Sequence, residues 1–300
     1  MLQPLSRLSI DCKGLPAGDG TPVESIVEEI RQKSGEMTAS ERRAARALLA
    51  RFPVLGLGTV AEFAQSAGVS PPTILRFTSR LGFGSYPEFQ RRLRQELEAQ
   101  LETPLTKRVL APGEARGAPP QSAFAEAAER NIAETFERIS DEEFRAVAQL
   151  LADGRRPVHL IGGRFTDALA RYMAAHLRIV RPGVFHIGGQ PGNWRDQLVD
   201  MGKRDVLVVF DVRRYQDDLV RLAEAAARRH TAVVLFTDQW LSPAARVATH
   251  VLAARIAVPS AWDSNAGILV LVEALVAAVT EADPERSHTR IEALERLRTS

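Results

Sequence analysis

Cysteine is almost absent from this chain: Cys12 is the single one in 300 residues. An internal disulfide is excluded, and so is a metal site built from a cysteine cluster. Long apolar runs are missing as well. The most apolar stretch, GILVLVEALVAAV at 267–279, is too short to cross a bilayer and carries Glu273. The opening residues, MLQPLSRLSIDCKG, hold no apolar run long enough for a secretory signal. These gaps point to a cytoplasmic protein with no membrane partner. Walker loops and nucleophile elbows are absent, the GGRF at 162–165 is too weak for a dinucleotide fingerprint, and no internal repeat is found. The expectation is no cofactor, no bound metal and no catalytic residue.

What is present is 45% hydrophobic and 25% charged residues, the profile of a globular chain long enough for two domains. The formal net charge of +2 says little by itself. Its distribution says more, because nine arginines face three glutamates between Glu41 and Arg94, so the rest of the chain is net acidic. The Pro- and Gly-rich stretch at 103–122, TPLTKRVLAPGEARGAPPQS, lacks an apolar period and reads as a linker. It divides a helical domain at 21–102 from a second domain at 123–283, with a loose leader at 1–20 and a tail at 284–300.

In the helical domain, three Ser/Thr-x-x-Glu capping boxes mark helix starts at Thr38–Glu41, Thr59–Glu62 and Ser85–Glu88. Between the last two lies GVSPPTILRFTSRLGF, where Gly68 allows a sharp turn, Ser70 can cap, and Pro71 suits a first helical turn. Helices over 60–67 and 71–81, joined by this short turn, make a helix-turn-helix whose second helix enters the major groove of double-stranded DNA. Ile74, Phe77 and Leu81 share the inward stripe. Ser70, Pro72, Thr73, Arg76 and Arg80 then fall on the outward face or its amino-terminal end, with Arg76 the candidate for direct base contact.

These residues resemble the amino-terminal domain of the RpiR family of bacterial transcriptional regulators. The matching positions are Val69, Ser70, Thr73, Ile74, Arg76, Phe77, Leu81, Gly82, Phe83, Tyr86 and Phe89. The resemblance continues to about residue 282, and it implies an operator as the partner, a sugar-isomerase (SIS) domain downstream, and a homodimer or homotetramer.

The second domain supports that fold from its own pattern. Apolar runs at 158–162, 184–188, 206–210, 232–236 and 250–254 alternate with helical stretches. Continuous apolar strands of this kind argue for a five-stranded parallel sheet covered by helices on both faces, an α/β domain after an all-helical one. Ligands of such sheets bind beyond the carboxyl ends of the strands, where GGRFTD, DVRRYQ and TDQW gather. His159 and His186 lie within strand-like runs and read as structural. A rival reading, a sugar-phosphate isomerase, would need a general base at that mouth.

SIS domains resemble this region in the TDxxxSPxA at Thr237, Asp238, Ser242, Pro243 and Ala245. Their phosphosugar effector is held by hydroxyl-rich loops. Here the first loop aligns as Gly162, Arg164 and Thr166, and the second as Asp211, Arg213, Arg214 and Gln216. Ser260, Asp263 and Ser264 precede the last apolar helix, a segment that closes the pocket in similar regulators; Asp263 or Ser264 could equally cap that helix. Three readings of the arginines stand side by side: a pocket for a small anionic effector, with Gly162, Gly163, Arg164, Thr166, Asp211, Arg213, Arg214, Ser260 and Ser264 as its residues; structural salt bridges from Asp211 to Arg213 or Arg214 beside a domain that only dimerises; and a solvated cluster.

Overall fold

The computed structural model describes residues 25–101 and 120–299; Cys12, the leader and most of the expected linker lie outside the described residues. The first part is a helical cluster: α1 (Ile26–Lys33), α2 (Ala39–Ala50), α3 (Val54–Leu57), α4 (Val60–Ala67), α5 (Pro71–Arg80) and α6 (Tyr86–Leu101).

Local chemistry sets these boundaries. Thr38 and Thr59 form complete capping boxes with Glu41 and Glu62. The third expected box is incomplete: Ser85 accepts from the Glu88 amide at 3.3 Å, but the Glu88 carboxylate turns to the Gly84 amide at 2.9 Å. Gly68 closes α4 at φ +62°, a left-handed conformation that L side chains resist, and the Val69 amide reaches back to the Ala64 carbonyl. The chain thus turns sharply from α4 into α5. Ile74, Phe77 and Leu81 bury themselves against α2 and α4, with Phe63 and Phe77 edge to face at 6.2 Å. The helix ends at Arg80, with Leu81 as its cap.

The second part runs α7 (Pro120–Arg138), α8 (Asp141–Ala152), β1 (Val158–Gly162), α9 (Asp167–Val180), β2 (Val184–His186), α10 (Pro191–Trp194), β3 (Val206–Phe210), α11 (Asp217–Arg228), β4 (Ala232–Asp238), β5 (His250–Ala254), α12 (Ala266–Ala282) and α13 (Pro284–Thr299). All strand pairs are parallel, in the order β2-β1-β3-β4-β5. Alternate side chains enter two cores. Val208, Phe210, Val234 and Phe236 pack with α8, α9 and α12, while Leu207, Val209, Val233 and Leu235 pack with α11. This is why the strands read as unbroken apolar runs. Residues 284–299, expected as a tail, form α13, whose Arg290 donates to the Arg178 carbonyl of α9 at 2.9 Å.

The two parts touch through α1. Arg31 donates to the Ala245 carbonyl at 3.0 Å, and Arg255, just past β5, lies 3.3 Å from Glu28 of α1 and 3.5 Å from Glu134 of α7.

Within the helical cluster, α1 is held to α6 by Glu96, which accepts from the Ile26 amide at 2.8 Å. Burial pushes the Glu96 carboxyl up to about 7 from an ordinary 4.5. A raised carboxyl favours folding while protonated, so its contribution is complete below pH 4.5 and fades as pH rises through about 7. Relative to Glu96→Gln, the wild type should therefore lose roughly 1–3 kcal/mol between pH 5 and 8. Urea denaturation of both proteins at each pH measures the gap, and a gap independent of pH would refute the assignment.

Candidate functional site

Two places carry chemistry. The first is the solvent face of α5, where Ser70, Pro71, Pro72, Leu75, Arg76, Ser79 and Arg80 are exposed. Of the five residues expected to face DNA, Thr73 is misplaced. It is only 5% exposed, because its hydroxyl bonds Ser70 at 2.9 Å and accepts from Arg76 at 3.1 Å. Thr73 therefore positions its neighbours instead of presenting itself. Ser70 spends its hydroxyl on Thr73 and makes no side-chain cap to the helix amides. Arg80 is partly committed to Glu41 of α2 at 3.2 Å. Leu75, 48% exposed between these polar groups, lies off the inward stripe of Ile74, Phe77 and Leu81.

The second place is a cleft of about 610 Å³ beyond the carboxyl ends of β1 and β3. The chain runs outward from β1 to β2 and returns to β3 on the other side, so these two adjacent strands form the switch point at which such sheets bind ligands. Gly163, Arg164, Phe165 and Thr166 line one wall, Asp211 to Arg214 with Gln216 the other, and Ala261, Trp262, Asp263 and Asn265 the rim.

The loop after β3 is organised by two buried carboxylates. Asp211 accepts from the Gln216 amide at 3.1 Å and, at short range, from the Ser242 hydroxyl. Asp238, at the end of β4, accepts from the Arg213 amide at 2.5 Å, the Tyr215 hydroxyl at 2.7 Å and the Trp240 amide at 2.9 Å. Burial pushes both carboxyls up to about 6. Tyr215, buried against Asp238, is raised well above the ordinary phenol.

Asp211 therefore pairs with neither arginine beside it. Arg213 instead reaches Asp263, with Nε to Oδ2 at 3.1 Å and Nη2 to Oδ1 at 2.9 Å, while its guanidinium lies 4.7 Å from the Trp240 ring centre. Its side chain is only 4% exposed. This two-pronged, half-buried pair bolts the β3–α11 loop to the segment before α12. Arg214 takes φ +63° and stays exposed at the cleft, whereas the Arg213 side chain is buried. Arg164 is exposed at the mouth, 5.2 Å from the Phe165 ring centre.

Gly163, Arg164, Thr166, Asp211, Arg213 and Arg214 all line the cleft. Gly162, Ser260 and Ser264 are not in the lining. A Cβ at Gly162 would meet Thr166 and Asp167 backbone at 2.5 Å, so its role is close packing under the loop. Ser260 and Ser264 accept from the Trp262 and Ala266 amides and shape the segment locally. The Thr166 hydroxyl accepts from the Gly163 amide at 2.8 Å and donates to the Phe210 carbonyl at 2.7 Å, tying β1 to β3. The aromatic residues Phe165, Trp262, Trp240 and Tyr215 had no expected role, although three of them, Phe165, Tyr215 and Trp240, sit in the very loops named as the mouth. His159 and His186 are held by Asp205 at 3.0 Å and Asp167 at 2.7 Å.

Comparison with known proteins bears on both places. A family model described as a helix-turn-helix domain of the rpiR family matches residues 24–100, and a SIS domain model matches residues 151–278. The HTH-type transcriptional regulator HexR of Pseudomonas aeruginosa is 32% identical over 75 residues, covering 25% of this chain and 26% of that protein, about a quarter of the relative's length. The sugar isomerase domain of an RpiR transcription factor from Sphaerobacter thermophilus aligns with a TM-score of 0.53 and 26% identity, over 59% of this chain and 98% of that one. The Vibrio vulnificus NanR protein, solved with ManNAc-6P, aligns with a TM-score of 0.52 over 91% of this chain and 97% of that one; at 17% identity this is a likeness of fold. With an rpiR-type helix-turn-helix ahead of a SIS domain, the chain belongs to the RpiR family.

Proposed function

We propose that this protein is a DNA-binding transcriptional regulator whose SIS domain senses a small anionic metabolite, and that it works as a homo-oligomer without catalysis. The observation that carries the reading is the pairing, in one chain, of an arginine-bearing recognition face on α5 with a ligand-sized cleft at the sheet's switch point. On the DNA side, Arg76 is the base-reading side chain, Ser70, Pro72 and Arg80 flank it, and exposed Leu75 offers an apolar contact of the kind a thymine methyl accepts. On the ligand side, Asp211 sits in the cleft but both its oxygens are already engaged, which argues against a general base and so against an isomerase.

The β3–α11 loop supplies the link between the two activities. Arg213 and Arg214 line the cleft, whereas Tyr215 lines a second cavity, about 230 Å³, walled on its far side by Val27, Arg31, Leu49 and Phe52 of the helical part. A ligand that alters the loop changes the surface on which the helix-turn-helix rests, and with it the spacing of paired reading heads on two half-sites.

Arg76→Ala should weaken operator binding by roughly 1–3 kcal/mol and relax sequence preference. Fluorescence anisotropy with operator and scrambled duplexes tests this, and unaltered discrimination between them removes Arg76 from base reading. Tyr215→Phe deletes the bond to Asp238 at 2.7 Å while keeping the ring. Ligand affinity should stay within about threefold, while the ratio of operator affinities with and without ligand moves toward one. An unchanged ratio would take the loop out of the coupling.

A further inference from the structure

We propose that the cleft takes a small monocarboxylate with a flat or apolar ring, the ring lying against Phe165 and Trp262 and the carboxylate meeting Arg164 and Arg214. This rests on the reading of the cleft as the effector site and names the class of ligand it holds.

A bound phosphate needs several small donors converging at close range. In this cleft four such donors are already used. The Thr166 hydroxyl is spent on Phe210, the Gly163 amide on Thr166, the Gln216 amide on Asp211 and the Arg213 amide on Asp238. Side-chain cations at the rim remain, and they suit an anion held from further away.

The charge balance favours a monoanion. Three arginines face two aspartates in the lining, leaving one net positive charge. Arg213 is matched by Asp263 through its two-pronged bond, so the charge left for a ligand is that of Arg164 and Arg214 set against Asp211 at the floor. Among the described residues, Arg164 and Arg214 form no ion pair, and both are exposed. A dianionic phosphate pressed to the floor would meet the Asp211 carboxylate; a carboxylate kept at the rim would not.

The apolar side of the ligand is read from two rings. Phe165 is 61% exposed and Trp262 59% exposed, with ring centres 5.8 Å apart and planes at 65°. They come from different elements, one from the β1–α9 loop and one from the segment before α12, yet meet at the same mouth. Large rings left open to water gain most from a flat apolar partner. The Gln216 and Asn265 amides, also in the lining, leave room for a single polar substituent.

The test titrates the full-length protein with benzoate, phenylacetate and indole-3-acetate, with benzamide as the uncharged control and with glucose 6-phosphate and inorganic phosphate. Thermal melting and tryptophan fluorescence are read in parallel. The ring carboxylates should raise the midpoint in a concentration-dependent way, benzamide and both phosphates should not, and Trp262→Ala should weaken carboxylate binding by roughly three- to tenfold. Arg164→Ala with Arg214→Ala should weaken it by at least about tenfold. A shift with glucose 6-phosphate and none with the carboxylates overturns this assignment while the effector reading stands. No shift with any compound overturns both, and carboxylate binding that survives Trp262→Ala and the double arginine change refutes the placement.

Discussion

The cleft depends on the cost of burying two carboxylates. Asp211 follows β3 and Asp238 ends the adjacent β4, and both are almost fully buried. A buried carboxylate is tolerable only if donors surround it. The chain supplies them from two segments: the loop from Val212 to Gln216 gives the amides of 213 and 216 and the Tyr215 phenol, and the turn after β4 gives the Trp240 amide and the Ser242 hydroxyl. This satisfies the polar demand and fixes the loop, and it occupies the amides of Arg213 and Gln216, which a bound anion could otherwise use. The same constraint that gives the loop its shape thus also narrows what it can bind.

Much of the fold was legible because its signals are local. Capping boxes at Thr38 and Thr59, the turn at Gly68 and the stripe of Ile74, Phe77 and Leu81 each act within a few residues, and the structure repeats them. Five apolar runs became five parallel strands because burial on both faces removes the polar alternation. The location of the cleft followed from the same logic, since strand ends are visible in sequence even when strand order is not.

The site's internal wiring was not legible. Asp211 and Arg213 are two residues apart, so a bridge between them was the natural local choice, yet Arg213 pairs with a residue fifty positions away. Nothing in the periodicity of either segment announces that contact; it exists because the sheet brings the β3–α11 loop beside the approach to α12. Thr73 shows the same limit on a smaller scale. Helical spacing put it at the edge of the outward face, and a hydrogen-bonded cluster with Ser70 and Arg76 drew it in. Long-range partners decide the role of such residues, while short-range patterns decide only their element.

Under the proposed function, coupling between the two halves would need no extended pathway. The loop of six residues that floors the cleft also presents Tyr215 to the cavity beneath α1 and α2, so both ligands would bias one element. Such an element transmits only the difference in affinity that a ligand has for its two arrangements. A loop held by two buried carboxylates and the Arg213–Asp263 pair cannot deform gradually, since partial movement would break several bonds at once with nothing to replace them. Its response should be close to all-or-none, which is what a regulator requires if a modest ligand affinity is to move paired DNA-reading helices between two discrete spacings.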